Sequence, residues 1–122
     1  MKDSHSPSND LQALRDALRH FAEEREWDQF HSPKNLATAL SVEAAELLEY
    51  FQWLTEEQSR SLPPEKIAAV RLELADVLLY LIRLADKLEI DLAAAGREKL
   101  AVNAEKYPVE KSRGNNRKYT EF

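Results

Sequence analysis

The chain has 122 residues, of which 43% are hydrophobic and 32% are charged, so one domain with a buried core is expected. It contains no cysteine and only two glycines, which excludes disulfides, thiolate chemistry and the glycine-rich loops that cradle phosphate. The formal net charge of −5 argues against a dedicated nucleic-acid-binding protein.

Four helices are predicted, because prolines separate long glycine-free segments and no β-branched alternation typical of strands occurs. Residues 1–8 form a polar, flexible leader without the apolar region of a targeting signal, so a cytoplasmic location is predicted. The helices are predicted at 9–26, 33–54, 64–88 and 91–107, with N-caps at Ser32 and Asp91. A helical domain is thus assigned to residues 9–109 and a basic C-terminal tail to residues 110–122.

The third predicted helix is apolar on nearly every side between Leu74 and Ala85, where only Asp76 and Arg83 are charged. Such a helix is buried on several sides, either in the centre of a bundle or at a subunit interface. We therefore expect an all-α, four-helix bundle that forms a homodimer or homotetramer, although a monomeric bundle also has a central helix. No apolar run is long enough to span a bilayer, so no membrane partner is expected.

Two pairs of acids stand out on the second and third helices: Glu43 with Glu46, and Glu73 with Asp76. Each pair is spaced by three residues and therefore shares one helix face. Such pairs usually lie on solvated faces, but these have apolar neighbours, and a buried ionised carboxylate is costly unless it is paired. If the two pairs face each other, a cation must offset their repulsion. Ligation by oxygen alone points to Mg²⁺ or Mn²⁺, and Mg²⁺ implies a phosphate-bearing ligand.

The acids also carry a family resemblance, since Glu-x-x-Glu is followed after 26 intervening residues by Glu-x-x-Asp. This pattern resembles the signature of the MazG-like all-α nucleotide pyrophosphohydrolases. Four segments are similar to the dCTP pyrophosphatase-like branch of that family: EREWDQFHSPKNLATALSVEAAELLEYFQW, ELADVLLYLIRLAD, KLAVNAEKYP and RKYTEF. The resemblance covers about residues 11–122. One departure is Val42, where many relatives have a further glutamate, so a fifth carboxylate has no counterpart in this chain.

The resemblance implies Mg²⁺-dependent hydrolysis of a nucleoside triphosphate, dCTP or a modified dCTP, to the monophosphate and pyrophosphate, as in nucleotide-pool sanitation. It implies that Glu43, Glu46, Glu73 and Asp76 hold the metal, with Mn²⁺ as a possible substitute, and form the catalytic set. Which carboxylate acts as general base stays open, and Glu46 is one candidate. The base is expected to contact aromatic and polar side chains, namely Trp27, His31, Trp53 and Tyr80. The triphosphate is expected to contact polar or basic side chains, namely Lys99, Asn103, Tyr107, Arg113 and Lys118.

Two other readings of the chain remain open at this point. One is an all-α pyrophosphohydrolase of broad specificity or of the dUTP type, because the residues alone do not fix a base or sugar preference. The other is a non-catalytic helical interaction module whose acids are surface charges. For the basic tail, we expect Tyr119 and Phe122 to anchor the chain end.

Overall fold

The computed structural model describes the backbone of residues 7–122 and the side chains of residues 10–122. Within this range the chain is helical and has no strand, which confirms the all-α prediction. The helices are α1 (Pro7–Glu24), α2 (Pro33–Glu49), α3 (Glu56–Ser59), α4 (Pro64–Lys87), α5 (Leu92–Lys106) and α6 (Val109–Ser112). Short 3-10 turns lie at Asp28–Phe30 and Tyr119–Glu121. The predicted leader lies largely outside the described residues, and α1 begins at Pro7.

The chain divides into a first unit, Met1–Ile90, and a second unit, Asp91–Phe122. In the first unit, α4 packs mainly against α2 and also against α1. Few of the described apolar residues are buried, and they come from all three of these helices: Ala22, Leu36, Val70, Ile82 and Ala85. The pairing of α2 with α4 matters most for the site, because these two helices carry the four acids.

The predicted helix starts at Ser32 and Asp91 are both present. The Ser32 hydroxyl accepts a hydrogen bond from the Asn35 N–H at 3.1 Å, and Pro33 occupies the first helical position. The Asp91 carboxylate accepts from the Ala94 N–H at 3.0 Å at the start of α5. Each cap satisfies a backbone donor that the first helical turn leaves without a partner, which contributes about 1 kcal/mol.

The second helix is shorter than predicted, because α2 ends at Glu49 rather than at residue 54. Most of the N–H groups that form backbone hydrogen bonds just after this point bond three residues back, as in the 2.8 Å bond from Phe51 to Leu48, so the chain tightens into turns. Thr55 then starts α3 with a capping box, in which its hydroxyl and the Gln58 side chain each bond the other's backbone N–H. The prediction was wrong here because no glycine or proline marks the break.

Two helices are each followed, two residues after their last helical residue, by a glutamate in the left-handed backbone region. Glu26 (φ 54°) follows α1, and Glu89 (φ 57°) follows α4. In each case the next N–H reaches back across the end of the helix: Trp27 bonds the Ala22 carbonyl at 2.9 Å, and Ile90 bonds the Ala85 carbonyl at 2.8 Å. These are Schellman closures, at which glycine is usual. The first explains why α1 ends at Glu24 rather than at residue 26.

In the second unit, aromatic rings hold the end of the chain. The Tyr107 ring, at the end of α5, meets the rings of Tyr119 and Phe122 edge-on at centroid distances of 5.8 and 5.9 Å. The Arg117 guanidinium lies 5.5 Å from the centroid of the Phe122 ring. The two residues expected to anchor the tail therefore do pack, and they pack on a residue of the same unit.

Large apolar side chains on α2 and α4 remain exposed in the single chain. They include Val42 and Leu48 on α2, and Ile67, Leu72, Leu74, Leu78 and Leu81 on α4. The predicted enclosure of this helix on several sides is thus incomplete within one copy. Among the described helices, none combines the length and the apolar character that crossing a membrane requires.

Candidate active site

Three of the four predicted acids meet between α2 and α4. One carboxylate oxygen from each of Glu43, Glu73 and Asp76 lies within 4.8 Å of the other two. Glu43 and Glu73 are half-buried, whereas Asp76 is exposed. Glu46 stands outside this group and is exposed, although its charge contributes to the electrostatics of Glu73. We call Glu43, Glu73 and Asp76 the acid cluster.

The acid cluster holds a proton near neutral pH. The hydrogen bond with Glu43, followed by burial and by the negative charges of Glu43, Glu46 and Asp76, raises the pKa of Glu73 to about 7. A hydrogen bond between two carboxyl groups requires that one of them be protonated, and like charges at this distance disfavour full ionisation. Without a cation, the cluster therefore shares a proton between α2 and α4.

One oxygen of the cluster has no hydrogen-bond partner. The Oε2 atom of Glu73 is buried and unsatisfied. A buried oxygen without a partner is unfavourable, and such an atom in a native fold calls for an explanation. A divalent cation would supply both the missing partner and the positive charge that the cluster lacks, and oxygen donors suit Mg²⁺ or Mn²⁺. The residues present therefore fit a hard metal ion.

A cavity of about 230 Å³ adjoins the acid cluster, because Asp76 belongs to both. Its walls are largely apolar and aromatic, and they are formed by Leu18, Phe21, Ala22, Trp27, His31, Asp76, Leu79, Tyr80 and Arg83. The Trp27 ring packs edge-on against Phe21 at 5.6 Å and against His31 at 6.2 Å. Such a cavity accommodates a ligand that has a flat aromatic ring and that carries a polar, charged group.

One wall of this cavity is polar and includes a buried arginine. Arg83 is 5% exposed, and its Nε atom donates to Nδ1 of His31 at 3.1 Å. The same guanidinium pairs with Asp28, which also accepts from Lys87 Nζ at 3.0 Å. That bond from Lys87 is the main reason why the pKa of Asp28 lies below its usual value. Burial, and then the charge of Arg83, lowers the pKa of His31, so the imidazole is neutral at neutral pH.

The role of Arg83 was missed by sequence reasoning, which noted only that Asp76 and Arg83 are the charged residues between Leu74 and Ala85. Its partners lie more than 50 positions earlier in the chain, at Asp28 and His31, so no local pattern connects them. The available signal was a charged residue inside the most apolar helical segment. A charge at such a position is buried only when it is paired.

Trp27, His31 and Tyr80 therefore lie together in the cavity as predicted near the acids, but Trp53 does not. Because α2 ends at Glu49, Trp53 lies in the following turns, where it is 86% exposed. The five residues predicted to contact phosphate belong to the second unit: Lys99, Asn103, Tyr107, Arg113 and Lys118. Within that unit Asn103 and Tyr107 are half-buried and the three basic residues are exposed. Their phosphate contacts stay predictions.

Comparison with known proteins adds independent findings. A sequence model of the MazG-like family matches residues 38–122. The dCTP pyrophosphatase 1 of Mus musculus is 45% identical over 119 residues, which cover 96% of this chain and 70% of that protein. The Homo sapiens dCTP pyrophosphatase 1 is 42% identical over 121 residues, covering 98% and 71%. A solved pyrophosphatase structure from Archaeoglobus fulgidus DSM 4304 is similar with a TM-score of 0.78 and 38% identity, covering 88% of this chain and 98% of that one.

Proposed function

Since the chain belongs to the MazG-like family, we propose that it is a Mg²⁺-dependent nucleotide pyrophosphohydrolase that cleaves dCTP or a modified dCTP to the monophosphate and pyrophosphate. The observation that carries this proposal is the acid cluster, with its unsatisfied Glu73 oxygen, beside an aromatic cavity. The relatives named dCTP pyrophosphatase 1 support the choice of base. The reaction would remove unwanted nucleotides from the pool.

The acid cluster is the proposed metal site, and Glu46, the fourth acid of the predicted set, lies outside the group of converging oxygens. When bound, a divalent ion would offset negative charge on the triphosphate and polarise the phosphoryl group under attack. Glu43, Glu73 and Asp76 would release their shared proton and hold the ion from two helices. Because α2 and α4 pack along each other, the helices fix the spacing of these three carboxylates.

Glu46 is the proposed general base. It lies one helical turn from Glu43 but outside the group whose oxygens converge, so its carboxylate stays available for a proton. A general base must reach the attacking water, and Glu46 is exposed beside the acid cluster. The proton from water would then pass to a Glu46 oxygen as the water attacks the α-phosphorus, while the bond from the α-phosphorus to the bridging oxygen breaks and pyrophosphate leaves.

The aromatic cavity is the proposed base site. Trp27 and Tyr80 supply ring surfaces, and His31 supplies a polar group, in a space of about 230 Å³. Stacking of a nucleobase on aromatic rings contributes about 1–3 kcal/mol per base in comparable sites. Asp76 connects this cavity to the acid cluster, which would place the phosphates of a bound nucleotide towards the acids.

The triphosphate needs cations that the acid cluster itself does not offer. We assign this role to the second unit, where Lys99, Arg113 and Lys118 carry exposed positive charges and Asn103 and Tyr107 carry polar groups. Hydrogen bonds from charged donors to phosphate contribute about 1.5–3 kcal/mol each.

Self-association is part of the proposal. The single chain leaves several large apolar side chains of α2 and α4 exposed while enclosing few others, as described above. Extended apolar surface of this kind marks an interface. We propose a homodimer or homotetramer built through these helices. Static light scattering should report a mass that is a multiple of 14.0 kDa at micromolar concentration, and a 14.0 kDa species would contradict this.

The activity is tested with a panel of all dNTPs and NTPs, with Mg²⁺ and with released pyrophosphate as the readout. We expect dCTP to be cleaved best, and ion-exchange chromatography to show the monophosphate and pyrophosphate. Asp76→Asn should nearly abolish turnover with unchanged helix content, whereas the control Asp91→Asn, which keeps a capping side chain, should not. A diphosphate and orthophosphate as first products would contradict the assigned cleavage. No turnover of any nucleotide would favour an interaction module.

A further inference from the structure

Arg83 stands apart from the residues that the proposed reaction uses. Among the described residues, Arg83 is the one charged residue that is buried. It also lines the aromatic cavity, together with His31. Its guanidinium is held from two sides: Asp28 pairs with it, and an oxygen of Asp86 lies 3.6 Å from its Nη1 atom. Asp86 is fixed in turn by Arg19 through two bonds of 2.6 and 2.7 Å.

The contact between Arg83 and His31 determines where the imidazole carries its proton. A guanidinium only donates hydrogen bonds, so the ring nitrogen that faces it, Nδ1 at 3.1 Å, must accept. A neutral imidazole has one N–H and one acceptor nitrogen, so the proton is then on Nε2. In the described chain Nε2 has no hydrogen-bond partner, so its N–H is the polar group that the ring offers to a ligand.

We propose that Arg83 is a positioning residue that locks His31 in the Nε2–H form, so that the cavity presents a hydrogen-bond donor to the nucleobase. This inference rests on the proposed function for the identity of the ligand. A donor that faces position 3 of the base matches the acceptor N3 of cytosine, whereas O2 is an acceptor in all pyrimidines and does not discriminate between them. Uracil and thymine carry an N–H at position 3, which would oppose the imidazole N–H. Arg83 thereby favours cytosine without touching the base.

The surrounding charges support a rigid arrangement. Two carboxylates, Asp28 and Asp86, pair with the Arg83 guanidinium. Each carboxylate is held in turn by a second cation: Lys87 bonds Asp28, and Arg19 bonds Asp86. A second proton on His31 would place another positive charge next to Arg83. The guanidinium therefore determines the tautomer, and it adds to the effect of burial, which is the main cause of the lowered pKa of His31.

The first test is made on the unmodified protein, without metal or nucleotide. Long-range ¹H–¹⁵N correlation spectra of the imidazole rings at pH 7.5 should show His31 with its proton on Nε2, the ring being assigned by loss of its signals in His31→Gln. A ring with its proton on Nδ1, or a doubly protonated ring, overturns the inference. Because this readout needs no activity, it separates failure of the inference from failure of the proposed function.

The second test replaces Arg83 with methionine, which fills similar volume without a donor, and uses Arg71→Met as the control because Arg71 is exposed on the same helix. In Arg83→Met the His31 spectrum should lose its single Nε2–H pattern. The ratio of kcat/KM for dCTP to that for dUTP should fall about tenfold, the value of one net hydrogen bond. The change should lie in KM, with kcat for dCTP altered less than threefold. The control should match the wild type.

A double-mutant cycle decides whether Arg83 acts through His31. Once His31 is replaced by glutamine, Arg83→Met should leave the dCTP-to-dUTP ratio unchanged. An independent tenfold loss of this ratio in the double variant would mean that Arg83 acts on the base without His31, and would overturn the inference. If Arg83→Met does not fold, Asp28→Asn is used instead, since it removes the charge that orients the guanidinium and should loosen the tautomer in the same spectra.

Discussion

Mg²⁺ binding is expected to release a proton from the acid cluster. The free chain holds that proton because the pKa of Glu73 is raised to about 7, mainly by the hydrogen bond with Glu43. A divalent ion requires ionised ligands, so its binding must release the proton from the fraction of chains in which Glu73 is protonated at that pH. With a pKa of about 7, the expected release is about half a proton at pH 7, about nine-tenths at pH 6 and about one-tenth at pH 8. The apparent Kd should accordingly rise about tenfold between pH 8 and pH 6.

Isothermal titration calorimetry in two buffers with different ionisation enthalpies measures this release directly. Glu73→Gln should bind Mg²⁺ more weakly and should lose most of the pH dependence. The matched control is Glu65→Gln, an exposed position two turns earlier on α4, which should keep both the affinity and the proton release. Binding by the wild type with no proton release at pH 6 would refute the reasoning, because Glu73 would then be ionised before the metal arrives.

The same proton affects the stability of the metal-free protein. The pKa of Glu73 is higher in the folded chain than the ordinary value of 4.5, so the folded state binds more proton than the unfolded state between about pH 4.5 and pH 7. Stability in EDTA should therefore fall as the pH rises through this window, and Mg²⁺ should reverse the loss at pH 7.5. Thermal unfolding at pH 5 and pH 7.5, with and without Mg²⁺, checks the sign.

Three further outcomes are expected. Glu89→Gly should stabilise the chain by about 0.5–1 kcal/mol in urea unfolding, because glycine relieves the left-handed backbone at the end of α4; a decrease would contradict this. Asp86→Asn should cost about 1 kcal/mol at pH 7 in the same assay, since the partner Arg19 is half-exposed and the pair is partly screened, and an unchanged midpoint would count against the pair. Truncation after Pro108 should raise the KM for dCTP with helix content and oligomeric state retained, and an unchanged kcat/KM would show that the tail does not contact the triphosphate.

The spacing of the acids predicted much of the site, but not the position of Glu46. Three residues turn a helix through about 300°, so the second acid of each pair is rotated by about 60° from the first. On α4 that rotation keeps Glu73 and Asp76 within reach of Glu43, whereas on α2 it leaves Glu46 outside the converging group. Sequence periodicity shows that residues share a face, but the packing angle between two helices decides which of them meet.

The end of α2 and the role of Arg83 were missed for different reasons. The break after Glu49 had a local signal, because Thr55-x-x-Gln58 matches a capping box, and a new helix start there implies that the previous helix has ended. Arg83 had none, since its partners Asp28 and His31 become neighbours only when the segment between α1 and α2 folds onto α4. Local sequence rules can therefore predict the end of α2, whereas the contacts of Arg83 arise only from tertiary packing.

Asp76 belongs both to the acid cluster and to the lining of the aromatic cavity, and this has a thermodynamic consequence. An occupant of either place alters the environment of one and the same carboxylate, so the two binding equilibria are coupled. Reciprocity then holds: the factor by which the ion tightens the nucleotide equals the factor by which the nucleotide tightens the ion. A nucleoside without phosphates, which fills only the cavity, would report the part of this coupling that passes through Asp76 alone.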